Sequence, residues 1–257
     1  FIIVIAHSFS VPRMDVTKSK SVTPFFIGKF MLDKHNQFLY RMSSKMRKDL
    51  AFAQSKVRDL YKIEELEDYI DIEDSPINHI YAALSPVIED ANLLYDYALT
   101  VNDKMELNLE EVDISAILDG VLTVADQMIE NGFGLTLEED IDENLPAIEA
   151  DAERLSQALL HYIHNAVKFT ENGTITLRIK KEPNNILFEV HDTGIGIPEE
   201  KQEHVFEAFE TILDDKSDPR LGFGLGLKIV EHIIHLHDGE TWFESKEGAG
   251  SSFFFTI

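Results

Sequence analysis

Ile186-Leu187-Phe188-Glu189-Val190-His191-Asp192-Thr193-Gly194-Ile195-Gly196-Ile197-Pro198 is the stretch on which the reading of this chain turns. Its first half alternates in the period of a half-buried strand, and its second half is a D-x-G-x-G bend closed by proline. A carboxylate therefore stands at a strand end, followed by two glycines one residue apart. A carboxylate accepts a hydrogen bond from an exocyclic amine, and glycine lets backbone approach a flat ring or a phosphate closely. These residues alone serve a nucleotide site and an ordinary tight bend equally well.

Two further segments tip the balance. The run from Asp151 to Thr170 reads as a helix carrying Asn165 and Lys168 three positions apart. One face then holds a neutral oxygen for a hard cation beside an ammonium for phosphate oxygens. In Gly222-Phe223-Gly224-Leu225-Gly226-Leu227-Lys228, three alternate glycines open an amphipathic helix, whose free N–H groups suit an anionic phosphate. Singly, Asn165 and Lys168 read as solvated helix residues and the glycines as a flexible turn. All three segments in this order, with Phe206-Glu207-Ala208-Phe209 ahead of the last, make a specific combination.

From Asp151 to its C-terminus the chain resembles the catalytic ATP-binding domain of sensor histidine kinases, in the superfamily of gyrase and the mismatch-repair protein MutL. The resemblance implies ATP and Mg²⁺ as cofactors. It implies that Asn165 coordinates the metal, Lys168 contacts phosphate and Asp192 reads the adenine amine. Gly194 and Gly196 would shape the adenine pocket, Gly222, Gly224 and Gly226 would hinge a lid spanning 206–223, and Leu227 would join the ATP-binding residues. Where the family's motif has a first asparagine this chain has His161. An ATPase clamp of the gyrase or MutL kind is disfavoured, because those relatives place a catalytic Glu in the helix where this chain has His161 and His164.

Composition bounds the rest. Forty-seven Asp and Glu against 23 Lys and Arg leave a formal charge of −24, which argues against a general nucleic-acid or anionic-membrane binder. With no cysteine there are no disulfides, thiol nucleophiles or Cys-based zinc sites, in keeping with a reducing compartment. The apolar run 1–6 is too short to span a bilayer. The expected location is cytoplasmic, free or as the cytoplasmic part of a longer, membrane-anchored protein. Any membrane contact would then come through domains outside this chain.

Along the chain the reading is α+β: a helical hairpin forming a dimeric four-helix bundle, then an α/β sandwich with a mixed, mainly antiparallel sheet and helices on one face. Residues 1–32, broken by Pro12, Pro24 and Gly28, read as a lead-in or the remnant of an upstream domain. Residues 33–103 read as the hairpin, with long amphipathic helices on either side of an acidic break at 71–76 and a kink at Pro86. Residues 104–257 read as the catalytic-type domain, starting with a strand at Met105 to Leu109.

The resemblance also locates the phosphoacceptor. The family's F-L-x-x-x-S-H-E-L-R-T-P-L is matched by Phe38 to Leu50, which puts Ser44 at the acceptor histidine, Lys45 at the neighbouring base and Asp49 at the proline. A serine hydroxyl is a poor nucleophile without a base, and a charged lysine accepts no proton. Thr211 stands where an arginine commonly follows the second phenylalanine of the lid. A rival acceptor is His7, five residues before Pro12. Met105 lies 61 positions beyond Ser44, right for two helices of ~25 residues and a turn, but 98 beyond His7. The expectation is a Mg-ATP-binding homologue without normal autophosphorylation that regulates a partner kinase or a response regulator. The alternative is an active kinase using His7 or a partner's histidine. Its expected partners are a second copy or another histidine kinase, as homodimer or heterodimer, and a response regulator receiver domain.

Overall fold

The computed structural model describes residues 36–37, 39–48, 50–53, 55, 76–130, 134–211 and 222–257. The lead-in, His7 and the hairpin's connection lie outside them, as do residues 212–221 of the expected lid. The described residues of 36–55 are helical (α1), and α2 spans Pro76–Thr100 with Pro86 inside it. The two helices run antiparallel. Asn36 Nδ2 donates to the carbonyl of Val101 at 3.4 Å, and Tyr40 stacks on Tyr95 at 6.0 Å. No described helix is long and apolar enough to cross a membrane.

Beyond the hairpin come β1 (Glu110–Val112), α3 (Ile114–Glu130), β2 (Leu135–Ile141), β3 (Ile148–Ala150) and α4 (Ala152–Phe169). They are followed by β4 (Gly173–Lys181), β5 (Ile186–Asp192), α5 (Glu199–Gln202), α6 (Gly226–Leu236), β6 (Thr241–Lys246) and β7 (Gly250–Thr256). The main sheet has the order β2-β4-β5-β7-β6, with only the β2–β4 pair parallel. The expected strand at Met105 to Leu109 is not one. The short strand begins at Glu110 and pairs with β3 in a separate two-stranded sheet. The physical reason is local: Asn108 donates its backbone N–H to the Asp151 carboxylate at 2.9 Å, and Met105 is buried in the core. The apolar alternation is real, but no ladder takes up its amides.

Period-2 alternation decides which strand residues meet the helices. Ile175, Leu177 and Ile179 of β4, Phe188 and Val190 of β5, and Phe253 and Phe255 of β7 are buried on one face. Phe188 and Phe255 stack with centroids 4.5 Å apart, and Tyr162 of α4 packs on Phe253 and Phe255. On the opposite face Asp140, Arg178, Glu189, Phe254 and Trp242 fall in one row across all five strands. Arg178 bridges Asp140 and Glu189 in that row, and Trp242 stacks on Phe254 at 5.1 Å.

α4 is the central helix. Asp151 caps it by accepting the Arg154 N–H at 3.0 Å, and its inner stripe includes the fully buried Leu155, Leu159 and Ile163. α2 is fastened to it through Asp96, a buried carboxylate that accepts from Arg154 Nη1 at 3.1 Å and Gln157 Nε2 at 2.7 Å.

Candidate functional site

Asp192 is the last residue of β5, and it shares the parity of Phe188 and Val190. Its carboxylate therefore faces the helix layer where the sheet ends, at 5% exposure. Its Oδ1 accepts the Gly194 N–H at 2.8 Å. Burial raises the carboxyl above the usual Asp range, opposed by the Gly194 amide, His191 and the Ser251 amide.

A cleft of about 360 Å³ opens there, walled by α4, the bend after β5, the start of α6 and one face of α2. It brings together Asn165, Lys168, Asp192, Gly196, Gly222, Gly224, Gly226 and Leu227. Gly194 is not on the wall. It sits behind it, where a Cβ would stand 2.3 Å from the Phe169 carbonyl oxygen, so its part is to let the bend close on the end of α4. Gly196 is on the wall with φ +66°, and a Cβ there would meet the Lys246 carbonyl oxygen at 2.1 Å.

The phosphate-suited end is built from α4 and α6. α6 begins at Gly226 with no side chain capping its N-terminus, so its first N–H groups are open to an anion. Lys168 Nζ lies 3.0 Å from the point a Cβ on Gly222 would occupy. Asn165, three residues before Lys168 on the same helix, also lines the cleft, and its amide oxygen is a donor type that a hard cation takes. Among the described residues no group of three or more His, Asp or Glu could hold a metal by itself. A magnesium ion fits here only as an ion shared between Asn165 and nucleotide phosphates, the arrangement usual for this hard, water-retaining cation.

The expected lid is anchored at both described ends. The Phe209 N–H donates to the Gly224 carbonyl at 2.9 Å, and both residues have positive φ, +69° and +64°. Phe209, 54% exposed, meets the Tyr97 ring of α2 edge-on at 5.2 Å.

Several lining residues escaped the sequence. Asp90 and Leu93 come from α2, far away in the chain, and no local pattern marks them. Ser251 lines the cleft because it is Asp192's partner in the β5–β7 register, a signal available only once the strand order is known. His161, already singled out in the sequence at the place of an asparagine, lines it beside Gly226, with a buried Nε2 that has no partner among the described residues. Burial lowers its pKa to about 4, against the pull of Asp96 and with a further push from His164. On the hairpin, Ser44 is half-buried and Lys45 exposed, both on α1, while the neighbouring Ser43 is buried and spends its hydroxyl on the Leu39 carbonyl at 2.7 Å.

Residues 150–257 match the family model for histidine kinase-, DNA gyrase B- and HSP90-like ATPases. Among curated relatives, the adaptive-response sensory kinase SasA of Crocosphaera subtropica is 41% identical over 125 residues, 48% of this chain and 32% of that protein. The chain thus spans about a third of the length of that relative. Among solved structures, full-length ShkA in complex with AMPPNP aligns with a TM-score of 0.67 at 27% identity, over 86% of this chain and 45% of that one. The catalytic domain of the histidine kinase ThkA is 30% identical with a TM-score of 0.51, over 60% of this chain and 97% of that domain. Likeness across nearly the whole of a kinase catalytic domain goes with the motif order read from Asp151 onward, and this part of the chain is a catalytic domain of the sensor histidine kinase family.

Proposed function

We propose that this chain is a nucleotide-binding regulatory member of that family, taking Mg-ATP in the cleft without autophosphorylating at the usual hairpin position. The observation that carries this reading is a contrast. The cleft gathers Asn165, Lys168, Asp192, Gly196, Gly222, Gly224 and Gly226, whereas the acceptor position on α1 holds Ser44 with Lys45 beside it. That serine has no base for a neighbour, and Thr211 offers no cation to a transferring phosphoryl group.

In this reading Asp192 accepts from the nucleobase amine, while Lys168 and the N-terminus of α6 hold the phosphates. Asn165 turns its oxygen to Mg²⁺, which when bound neutralises phosphate charge. α2 supplies a wall of the cleft through Asp90 and Leu93, and Tyr97 rests against Phe209. Occupancy of the cleft therefore bears on the hairpin helix itself, and a ligand that favours one posture of α2 shifts the population a partner meets. The partners in view are a second copy or another histidine kinase across the hairpin, and a response regulator receiver domain. The compartment in view is the cytoplasm.

Two measurements test it. Nucleotide titration of the wild type and Asp192→Ala should show ATP binding that weakens about 10- to 100-fold on losing a buried charged acceptor. If both bind equally, or neither binds, the nucleotide assignment fails. Incubation with labelled ATP should leave no acid-labile phosphate, and label on His7 would restore a conventional kinase.

A further inference from the structure

Thr170 is a buried polar residue beside the cleft with no part in the site described so far. It ends α4 as its C-cap and is 3% exposed. Its Oγ1 is buried with no hydrogen-bond partner among the described residues. Gly194 locates that hydroxyl. A Cβ on Gly194 would stand 2.8 Å from Thr170 Oγ1 and 2.8 Å from Asp192 Oδ1. Hydroxyl and carboxylate thus flank one glycine, close enough for a single water to bridge them.

Buried hydroxyls without a partner are uncommon, because nothing offsets the loss of water. Asp192 has lone pairs to spare, since an ionised carboxylate offers about four acceptor sites and its Oδ1 takes the Gly194 amide. We propose that Thr170 is a positioning residue for nucleobase selection. Its hydroxyl donates to Asp192 through one bridging water and keeps that carboxylate an ionised acceptor turned to the cleft. The cleft then prefers 6-aminopurine to 6-oxopurine nucleotides.

The chemistry follows from donor and acceptor types. An ionised carboxylate only accepts, so it matches the 6-amino group of adenine and opposes the 6-carbonyl of hypoxanthine in the same pose. A protonated carboxyl can donate, and it tolerates the carbonyl. Burial already pushes Asp192 toward the protonated form, so each donor aimed at it counts. The Gly194 amide is one such donor, and Thr170 supplies another from the far side of the same bend.

This inference rests on the nucleotide reading above. Its test is calorimetric titration of the whole chain with ATP and ITP, for wild type, Thr170→Val and Thr170→Ser. Valine keeps the shape and loses the hydroxyl, whereas serine keeps the hydroxyl and loses the methyl. The wild type should favour ATP, Thr170→Val should lower the ATP-to-ITP preference by about tenfold, and Thr170→Ser should restore it. If the valine variant does not fold, Thr170→Ala takes its place as the hydroxyl-free partner. A preference that is unchanged without the hydroxyl, or affinities lost equally for both nucleotides, overturns the inference and leaves the cleft's ATP binding standing. A wild type that binds neither nucleotide overturns both.

Discussion

At His161 a titratable ring stands where the family carries an asparagine, on the wall of the cleft and one helical turn before Asn165. Burial holds its pKa down to about 4, from an ordinary 6.5. The unfolded chain therefore takes up a proton as pH falls through the ordinary value, while the folded protein does so only near the lowered one. In that window the unfolded state binds more protons, so stability drops as pH falls. For His161 the full effect is about 3 kcal/mol, complete once pH is below both values. Denaturation of wild type and His161→Asn between about pH 7 and pH 4 should show the wild type losing about that much more. Parallel curves would remove the histidine's contribution. Asp192 and Gly196 were legible because D-x-G-x-G is a local pattern with local consequences. Gly194's true contact, with the end of α4, is tertiary, so its place behind the wall was not.

Among the elements, α4 shows how much a single cap can carry. Asp151 accepts the Arg154 N–H at one oxygen and the Asn108 N–H at the other, at 3.0 and 2.9 Å. Its own N–H donates to His237 Nε2 at 3.0 Å, tying the start of α4 to the end of α6. Replacing it with alanine leaves two amides without their acceptor, and urea denaturation of Asp151→Ala should show a loss of about 2 kcal/mol or more. Asp151→Asn, with one acceptor oxygen, should recover part of it, and a wild-type midpoint for the alanine variant would contradict the cap's role. The bounds of α4 and β5 were readable to within a residue or two because capping, helical period and strand alternation agree there. The stretch 105–109 was misread because Met105, Leu107 and Leu109 alternate like a strand, whereas Asn108's amide belongs to a side chain 43 residues away. Alternation reports which side is buried and is silent about what the backbone bonds to.

Across the whole molecule, the feature least visible in the sequence is the docking of α2 on the nucleotide-binding layer. It depends on pairs 58 and 61 residues apart, Asp96 with Arg154 and Asp96 with Gln157. At either end the residues look like solvated polar groups on amphipathic helices, and only the docking of α2 against the layer of α4 and α6 removes them from water. A carboxylate so buried, with a partly buried guanidinium as partner, is expensive to break from one side. Asp96→Ala should cost about 2–4 kcal/mol in chemical denaturation. A second substitution, Arg154→Ala, should cost much less in that background than alone, whereas additive costs would mean the pair is uncoupled. Hydrogen exchange separates a loosened latch from general destabilisation. Amides of α2 from about 91 to 100 should exchange faster in Asp96→Ala while those of β4 and β5 keep their protection. Because Asp90 and Leu93 ride on the same helix into the cleft, nucleotide affinity should fall in the same variant although Asp96 is not a lining residue. Unchanged affinity alongside a freed α2 would show that the hairpin helix walls the cleft without being felt by its ligand.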